Sequence, residues 1–194
     1  MLVAGFLATS ALLYFSLYKT TAEEIPKVSL VTAALFVASL AHFPVGPTSV
    51  HLLLDGLAGI MLGRRAFASV FVALALQAAF FQHGGLTALG VNALNMGIPA
   101  LLAWQIFQRR LSFELPNREF IFGALAGGTA VLLAALMVFA ELLAIGEGFR
   151  EISMLVLASH VPVILVECVV SGSAAGYLAR ARPEMLCTMN YAEI

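Results

Sequence analysis

The sequence predicts an all-α integral membrane protein of about seven transmembrane helices with short re-entrant or cavity-lining loops. Residues 1–194 form a single transmembrane domain, with the N-terminus outside and the C-terminus cytoplasmic. Three observations carry this. The chain is 61% hydrophobic and 11% charged, with a mean hydropathy of +0.99, where a soluble domain carries about 25% charge. Its apolar residues gather into seven runs. Its basic residues fall on alternate connections between those runs.

The runs are Met1–Tyr18, Ser29–Phe43, Val50–Leu62, Ala66–Phe81, Ala93–Phe107, Phe120–Ala144 and Ile152–Leu178. A bilayer span takes about 20 mostly apolar residues, so they use most of the length and leave no soluble domain. Lys19 and Lys27 separate the first two runs, and Arg64 and Arg65 part the third from the fourth. Arg109, Arg110 and Arg118 lie between the fifth and sixth, and Arg180 and Arg182 follow the seventh. These are nine of the ten Lys and Arg residues; only Arg150 lies on the other side. Basic loops stay in the cytoplasm, which sets the orientation, and an even number of spans would break the pattern. The chain therefore reads as a multi-pass protein of the cell inner or plasma membrane, with the lipid bilayer as its surroundings. A net charge of −1 argues neither for nor against nucleic acid, and none is expected as a partner.

Two loops interrupt the apolar runs, HFPVGPTSVH from His42 and QHGGLTALGVN from Gln82. Together they are rich in Gly, Pro and Thr, and each carries His. Val50–Leu62 is shorter than a span. Gly- and Pro-interrupted backbone at membrane depth has to line a cavity or pack on protein, because lipid cannot satisfy its polar groups. The stretches Pro44–Ser49 and His83–Gly90 are therefore expected to dip into the protein from the outer side.

Ionisable residues inside a hydrocarbon-like sequence are costly and usually mark an ion or proton path. If the third run is helical from Val50, His51 and Asp55 share a face, and a carboxylate beside a ligating imidazole is a common outer-shell arrangement. The plainer alternative is a polar pair that closes an interhelical hydrogen bond. His83 precedes Gly84 and Gly85, where the backbone is permissive; it is a possible ligand or an ordinary loop histidine. Asn92 and Asn95 are three apart and can share a face, ordering the site or hydrogen-bonding a neighbouring helix. His160 and Glu167 are two turns apart on the seventh run and are expected to face protein, as a proton relay or a structural pair. Glu141 has the same two readings, and His42 reads as an interfacial side chain.

Several chemistries are excluded. The chain has no HExxH or GxSxG motif and no Gly-Lys-Ser or Gly-Lys-Thr of a phosphate-binding loop. Any ATP hydrolysis must then come from another chain, and no enzyme activity or resident cofactor is expected. Cys168 lies within a helix and Cys187 in the tail, which argues against a disulfide. The spacings Ala4-xxx-Ala8, Gly59-xxx-Gly63, Gly123-xxx-Gly127 and Gly172-xxx-Gly176 permit close helix contacts.

The runs VGPTSVHLLLDGLAGIMLGRRA and QHGGLTALGVNALNMG, with SHVPVILVECVVSGSAAGYLARARPEML near the end, resemble the CbiM/NikM family. The likeness is strongest over about residues 28–186. It implies a membrane substrate-capture subunit of an energy-coupling-factor transporter for Co²⁺ or Ni²⁺, with cobalamin biosynthesis as one destination of the ion. The implied partners are a transmembrane coupling protein, the T component, two cytoplasmic ATPase subunits and a small accessory membrane protein. In that family the metal is held by the N-terminal amine, by the backbone nitrogen and ring of a second-position His, and by a His matching His51. Such planar nitrogen coordination suits Ni(II) and accepts Co(II). This chain departs from the pattern at Leu2, which stands where the family has His and offers no ring nitrogen. A late start site or a truncation is the simplest expectation, and a variant without high-affinity capture is the other. His51 carries over as the best metal candidate, with His83, Asp55, Asn92 and Asn95 around it. The alternative function is a proton-coupled secondary metal-ion transporter using Asp55, His160 and Glu167.

Overall fold

Ala66–Phe81 is helical over the residues the sequence assigns to it, and the other six runs all contain a helix with shifted ends. The structure, a computed structural model, describes residues 2–40, 42–45, 48–82 and 84–187, with 42–45 and 48–51 described by their backbone alone. The helices are α1 (Leu2–Leu17), α2 (Ile25–Ser39), α3 (Asp55–Leu62), α4 (Ala66–Phe81), α5 (Leu89–Gln108), α6 (Arg118–Ile145) and α7 (Arg150–Ala181). Between α2 and α3 lie two short strands, β1 (His42–Val45) and β2 (Thr48–His51).

Among the described residues four stretches are long and apolar enough to cross a membrane: Asp55–Phe81, Leu89–Ser112, Arg118–Ile145 and Glu147–Ala181. A fifth is possible if α1 and α2, bent by 103° about their junction, count together. Within the first stretch Gly63 takes φ 60 and breaks the helix between α3 and α4.

Polar hydrogen bonds between helices set the arrangement. Thr32 Oγ1 and Ser69 Oγ meet at 2.8 Å, and Gln77 Nε2 donates to Ser39 Oγ at 2.6 Å. The two rungs advance together along both chains, so α2 runs alongside α4 in the same direction. α1 crosses obliquely: Thr9 Oγ1 donates to the Gly90 carbonyl at the start of α5, and Ser16 Oγ to the Arg64 carbonyl just before α4. Gly5, Thr9 and Ser16 are the buried residues of α1. This corrects the Ala4-xxx-Ala8 expectation, since Ala4 and Ala8 are exposed. The close approach is made one residue along, where a Cβ on Gly5 would stand 2.7 Å from the Val91 side chain.

α6 and α7 pack along one another through small residues. A Cβ at Gly123 would meet Ala175 and the Ser171 carbonyl, and one at Gly172 would meet the Phe120 carbonyl. Against this pair α3 buries Ile60, while Phe67 of α4 is buried on the other side of α3, seated on Gly97 of α5. The burial pattern is that of a chain in lipid. Glu167, Ser171, Ser16 and Thr9 are shut inside, while Leu165, Val166 and Val169 on α7 and Leu7 and Phe15 on α1 point outward. Hydrocarbon solvates such apolar faces and leaves polar side chains to pair within the bundle.

One end of the bundle is basic. Arg65 pairs with Glu24 at 2.5 Å, Lys27 Nζ donates to the Glu184 carbonyl, and Gln108 Nε2 to the Cys187 carbonyl. The tail is tied to α3 there by the Cys187 N–H on the Ile60 carbonyl at 2.9 Å. The β1–β2 hairpin, the end of α4 and the start of α5 lie towards the other end.

Candidate functional site

The site begins with the hairpin. Its antiparallel register sets His42 opposite His51, Phe43 opposite Val50, Pro44 opposite Ser49 and Val45 opposite Thr48. The expectation that His51 and Asp55 share a helix face is therefore wrong. His51 ends β2, and the helix begins only at Asp55. The physical reason is the backbone between them: Leu54 takes the left-handed conformation, φ 54 and ψ 14, and turns the chain into α3. Asp55 is thus not placed behind the His51 ring by helical spacing.

A carboxylate from α7 holds that turn. Glu167 is fully buried, and its Oε1 accepts the Leu53 N–H at 2.8 Å and the Leu54 N–H at 2.7 Å. Non-helical backbone at this depth must find its partners in protein, and Glu167 supplies one acceptor for two donors. Asp55, 1% exposed, stands close enough to Glu167 to feel its charge. Both Asp55 oxygens, Glu167 Oε2 and Ser171 Oγ have no hydrogen-bond partner among the described residues.

The remaining candidates separate. Asn95 Nδ2 donates to Glu141 Oε2 at 2.9 Å, an interhelical bond between α5 and α6. Asn92 Nδ2 reaches the Gly84 carbonyl at 3.2 Å and so ties down the loop beside His83. The two Asn residues serve different partners. His83 itself lies outside the described residues. His160 Nδ1 bonds the Val156 carbonyl of its own helix at 2.7 Å, whereas Glu167 turns to the hairpin limb, so they are not a hydrogen-bonded relay. Leu2 opens α1 and is half exposed. Among the described residues no group of three or more His, Cys, Asp or Glu could hold a metal ion. At the basic end Cys187 packs near Gly63 and Trp104, and burial pushes its thiol pKa up.

Sequence reasoning flagged Glu167 but missed its role. The signal was a lone acid in an apolar helix, and its partners are backbone groups that no side-chain pattern announces.

Residues 1–185 match the family described as CbiM, the cobalt uptake substrate-specific transmembrane region. The chain belongs to the CbiM family. It is 34% identical to a Haemophilus influenzae protein provisionally named as a metal transport protein, covering 96% of this chain and 91% of that one. It is 33% identical to the cobalt transport protein CbiM of Geobacter sulfurreducens, covering 84% of this chain and 50% of the relative. A fused nickel transport protein NikMN, provisionally so named, from Archaeoglobus fulgidus is 30% identical over 95% of this chain and 64% of its own length. The chain thus spans nearly all of the first relative and about half to two-thirds of the other two. The crystal structure of a truncated transition metal transporter has the same fold, with a TM-score of 0.75 at 22% identity, covering 93% of this chain and 94% of that one. The CbiM-family chain is a multi-pass integral protein of the cell membrane from a cobalt and nickel transport family.

Proposed function

We propose that this chain is the substrate-capture subunit of an energy-coupling-factor importer for Co²⁺ or Ni²⁺, with His51 as its metal donor. The observation that carries this reading is the hairpin, which sets His42 and His51 opposite one another in a chain of the cobalt-uptake family. Imidazole nitrogen is the donor these borderline ions favour. Asn92 orders the loop that carries His83, and His83 is the second donor candidate. Asn95 acts at one remove, through Glu141. In this reading the chain crosses the membrane seven times: α1, α2, the hairpin limb with α3, then α4 to α7. The N-terminus is outside, and the basic end faces the cytoplasm and the docking partners. The sequence has no phosphate-binding loop, so the T component, the ATPase subunits and a small accessory protein supply the energy and reorient or open the subunit to release the ion.

Uptake of radiolabelled nickel and cobalt in cells that express this chain with and without those partners tests the proposal. Uptake that requires them and stops on ATP depletion is the expected result. The buried Asp55 and Glu167 carboxylates favour a second reading, a proton-coupled secondary transporter. Uptake by this chain alone, abolished by a proton ionophore and indifferent to ATP depletion, would replace the first reading with the second. Labelling of tags at both ends of the chain tests the crossings, and termini on one side would remove the seven-span arrangement.

A further inference from the structure

The segment between β2 and α3 is the place where the capture hairpin joins the bundle. Leu52, Leu53 and Leu54 are neither strand nor helix, Leu53 is buried and the other two are half-buried, and Leu54 is a non-glycine residue at positive φ. Such a conformation persists only where its surroundings over-determine it. Here the Leu53 and Leu54 side chains pack into the core, and their N–H groups converge on one atom, Oε1 of Glu167. Glu167 is itself closely packed. It is fully buried, and its turn of α7 is pressed against α6, where a Cβ on Gly127 would come within 2.7 Å of the Glu167 carbonyl. His51 is two residues before Leu53, about 7 Å of extended chain. A closely packed helix therefore grips the backbone two residues beyond His51.

We propose that Glu167 is a positioning residue for metal capture: its carboxylate, acting through the Leu53 and Leu54 N–H groups, fixes the strand that carries His51. This rests on the reading of His51 as metal donor. Asp55 does not share this role, since neither of its oxygens receives a hydrogen bond among the described residues. What the hairpin needs from position 167 is an acceptor oxygen at the right reach, rather than a negative charge. Motion of α7 in the working transporter would then be transmitted to the hairpin through two backbone bonds.

The test compares Glu167→Gln, Glu167→Asp, Glu167→Ala and, one turn further along α7, Ser171→Ala. Two measurements are made on the full chain in lipid nanodiscs: amide hydrogen exchange by segment, and titration with Ni(II) alone followed by the absorption bands of the bound ion. Glutamine keeps an acceptor oxygen, so exchange at the hairpin and Ni(II) affinity stay near wild type. Alanine, and aspartate by its shorter reach, raise exchange over residues 48–54 while α1 and α5 stay protected. They also weaken Ni(II) binding roughly 10- to 100-fold, the range seen for lost orienting partners, and shift the bands. Ser171→Ala leaves both readouts unchanged. Should alanine prevent folding, the aspartate and glutamine pair decides.

Hairpin exchange unchanged in the Asp and Ala variants overturns the inference. So does a loss of protection spread evenly over all helices, or a folded Gln variant that behaves like Ala. If wild type binds no Ni(II), the capture reading fails, and the exchange arm still decides whether Glu167 holds the hairpin. If His51→Ala abolishes binding while Glu167→Ala leaves it intact, capture stands and the positioning role falls.

Discussion

Glu167 on α7 and Leu54 at the head of α3 are joined by a 2.7 Å hydrogen bond in which a side chain from a distant helix does the work of a helix cap. Leu54 has no capping oxygen of its own, and its N–H would otherwise be an orphan donor. Asp55, the first residue of the helix, brings a second carboxyl to the same end. Among the described residues one of the two is engaged and the other is not.

Asp55→Asn is expected to hold or raise thermal stability. A buried polar group left without partners costs about 1–3 kcal/mol, and a carboxylate beside a second carboxylate costs more than an amide of the same shape. The unfolding midpoint in detergent is predicted to move upward, with hairpin exchange unchanged. A fall of several degrees would show that the Asp55 carboxyl has a partner that matters. A normal midpoint with lost uptake would instead support the proton-coupled reading.

Gly127→Ala is expected to destabilise by about 1–3 kcal/mol, the usual cost of overpacking a tight site. The new methyl group would stand 2.6 Å from Ser171 Cβ and 2.7 Å from the Glu167 carbonyl, and a backbone atom cannot swing aside. Gly176→Ala meets Phe120 Cβ at an ordinary 3.5 Å, and a change within about 0.5 kcal/mol is predicted. Equal effects in thermal unfolding would mean that the α6–α7 contact is not set by residue size.

The helices were legible because apolar runs and basic breaks are one-dimensional signals. Ala66–Phe81 lies between Arg65 and the Gln82–Gly85 turn and needed nothing further. The strands were hidden: each is four residues long, β1 contains Pro44, and Val50 continues the apolar run of α3 in composition. The end of that run was therefore placed at Val50 when the helix starts at Asp55, which also misplaced His51 relative to Asp55. The stripe on α1 slipped by one residue because Ala4 and Gly5 are both small, and only the oblique crossing onto Gly90 and Val91 selects between them. Asn95 fared better, since an Asn in an apolar helix needs a partner, and Glu141 provides it.

Cys187 is predicted to alkylate slowly and with a pH profile displaced upward from that of a free thiol. Burial raises its pKa, so at a given pH less of it is thiolate, and the thiolate is the nucleophile. Gln108→Leu removes the amide that holds the Cys187 carbonyl at 2.7 Å and is expected to release the tail, speed the reaction and move the profile down. Mass-spectrometric labelling rates across pH check this. An unshifted profile in the parent protein would mean that the tail does not stay seated against Gly63 and Trp104.

Metal binding should depend on His51 and not on His160. His51 lies on the hairpin, where backbone pairing holds it opposite His42. The His160 ring is committed to the Val156 carbonyl of its own helix, on a different element from the hairpin. Ni(II) titration by calorimetry is expected to give loss of binding in His51→Ala and an unchanged isotherm in His160→Ala. The wild-type affinity should fall as pH drops through about 6.5, because a protonated imidazole has no lone pair to donate. Binding that survives in His51→Ala and keeps that pH dependence would transfer the donor role to His42 or His83. Binding that survives loss of His42, His51 and His83 together would point to an oxygen site, and Asp55→Asn and Glu167→Gln would then be the variants that lose the metal.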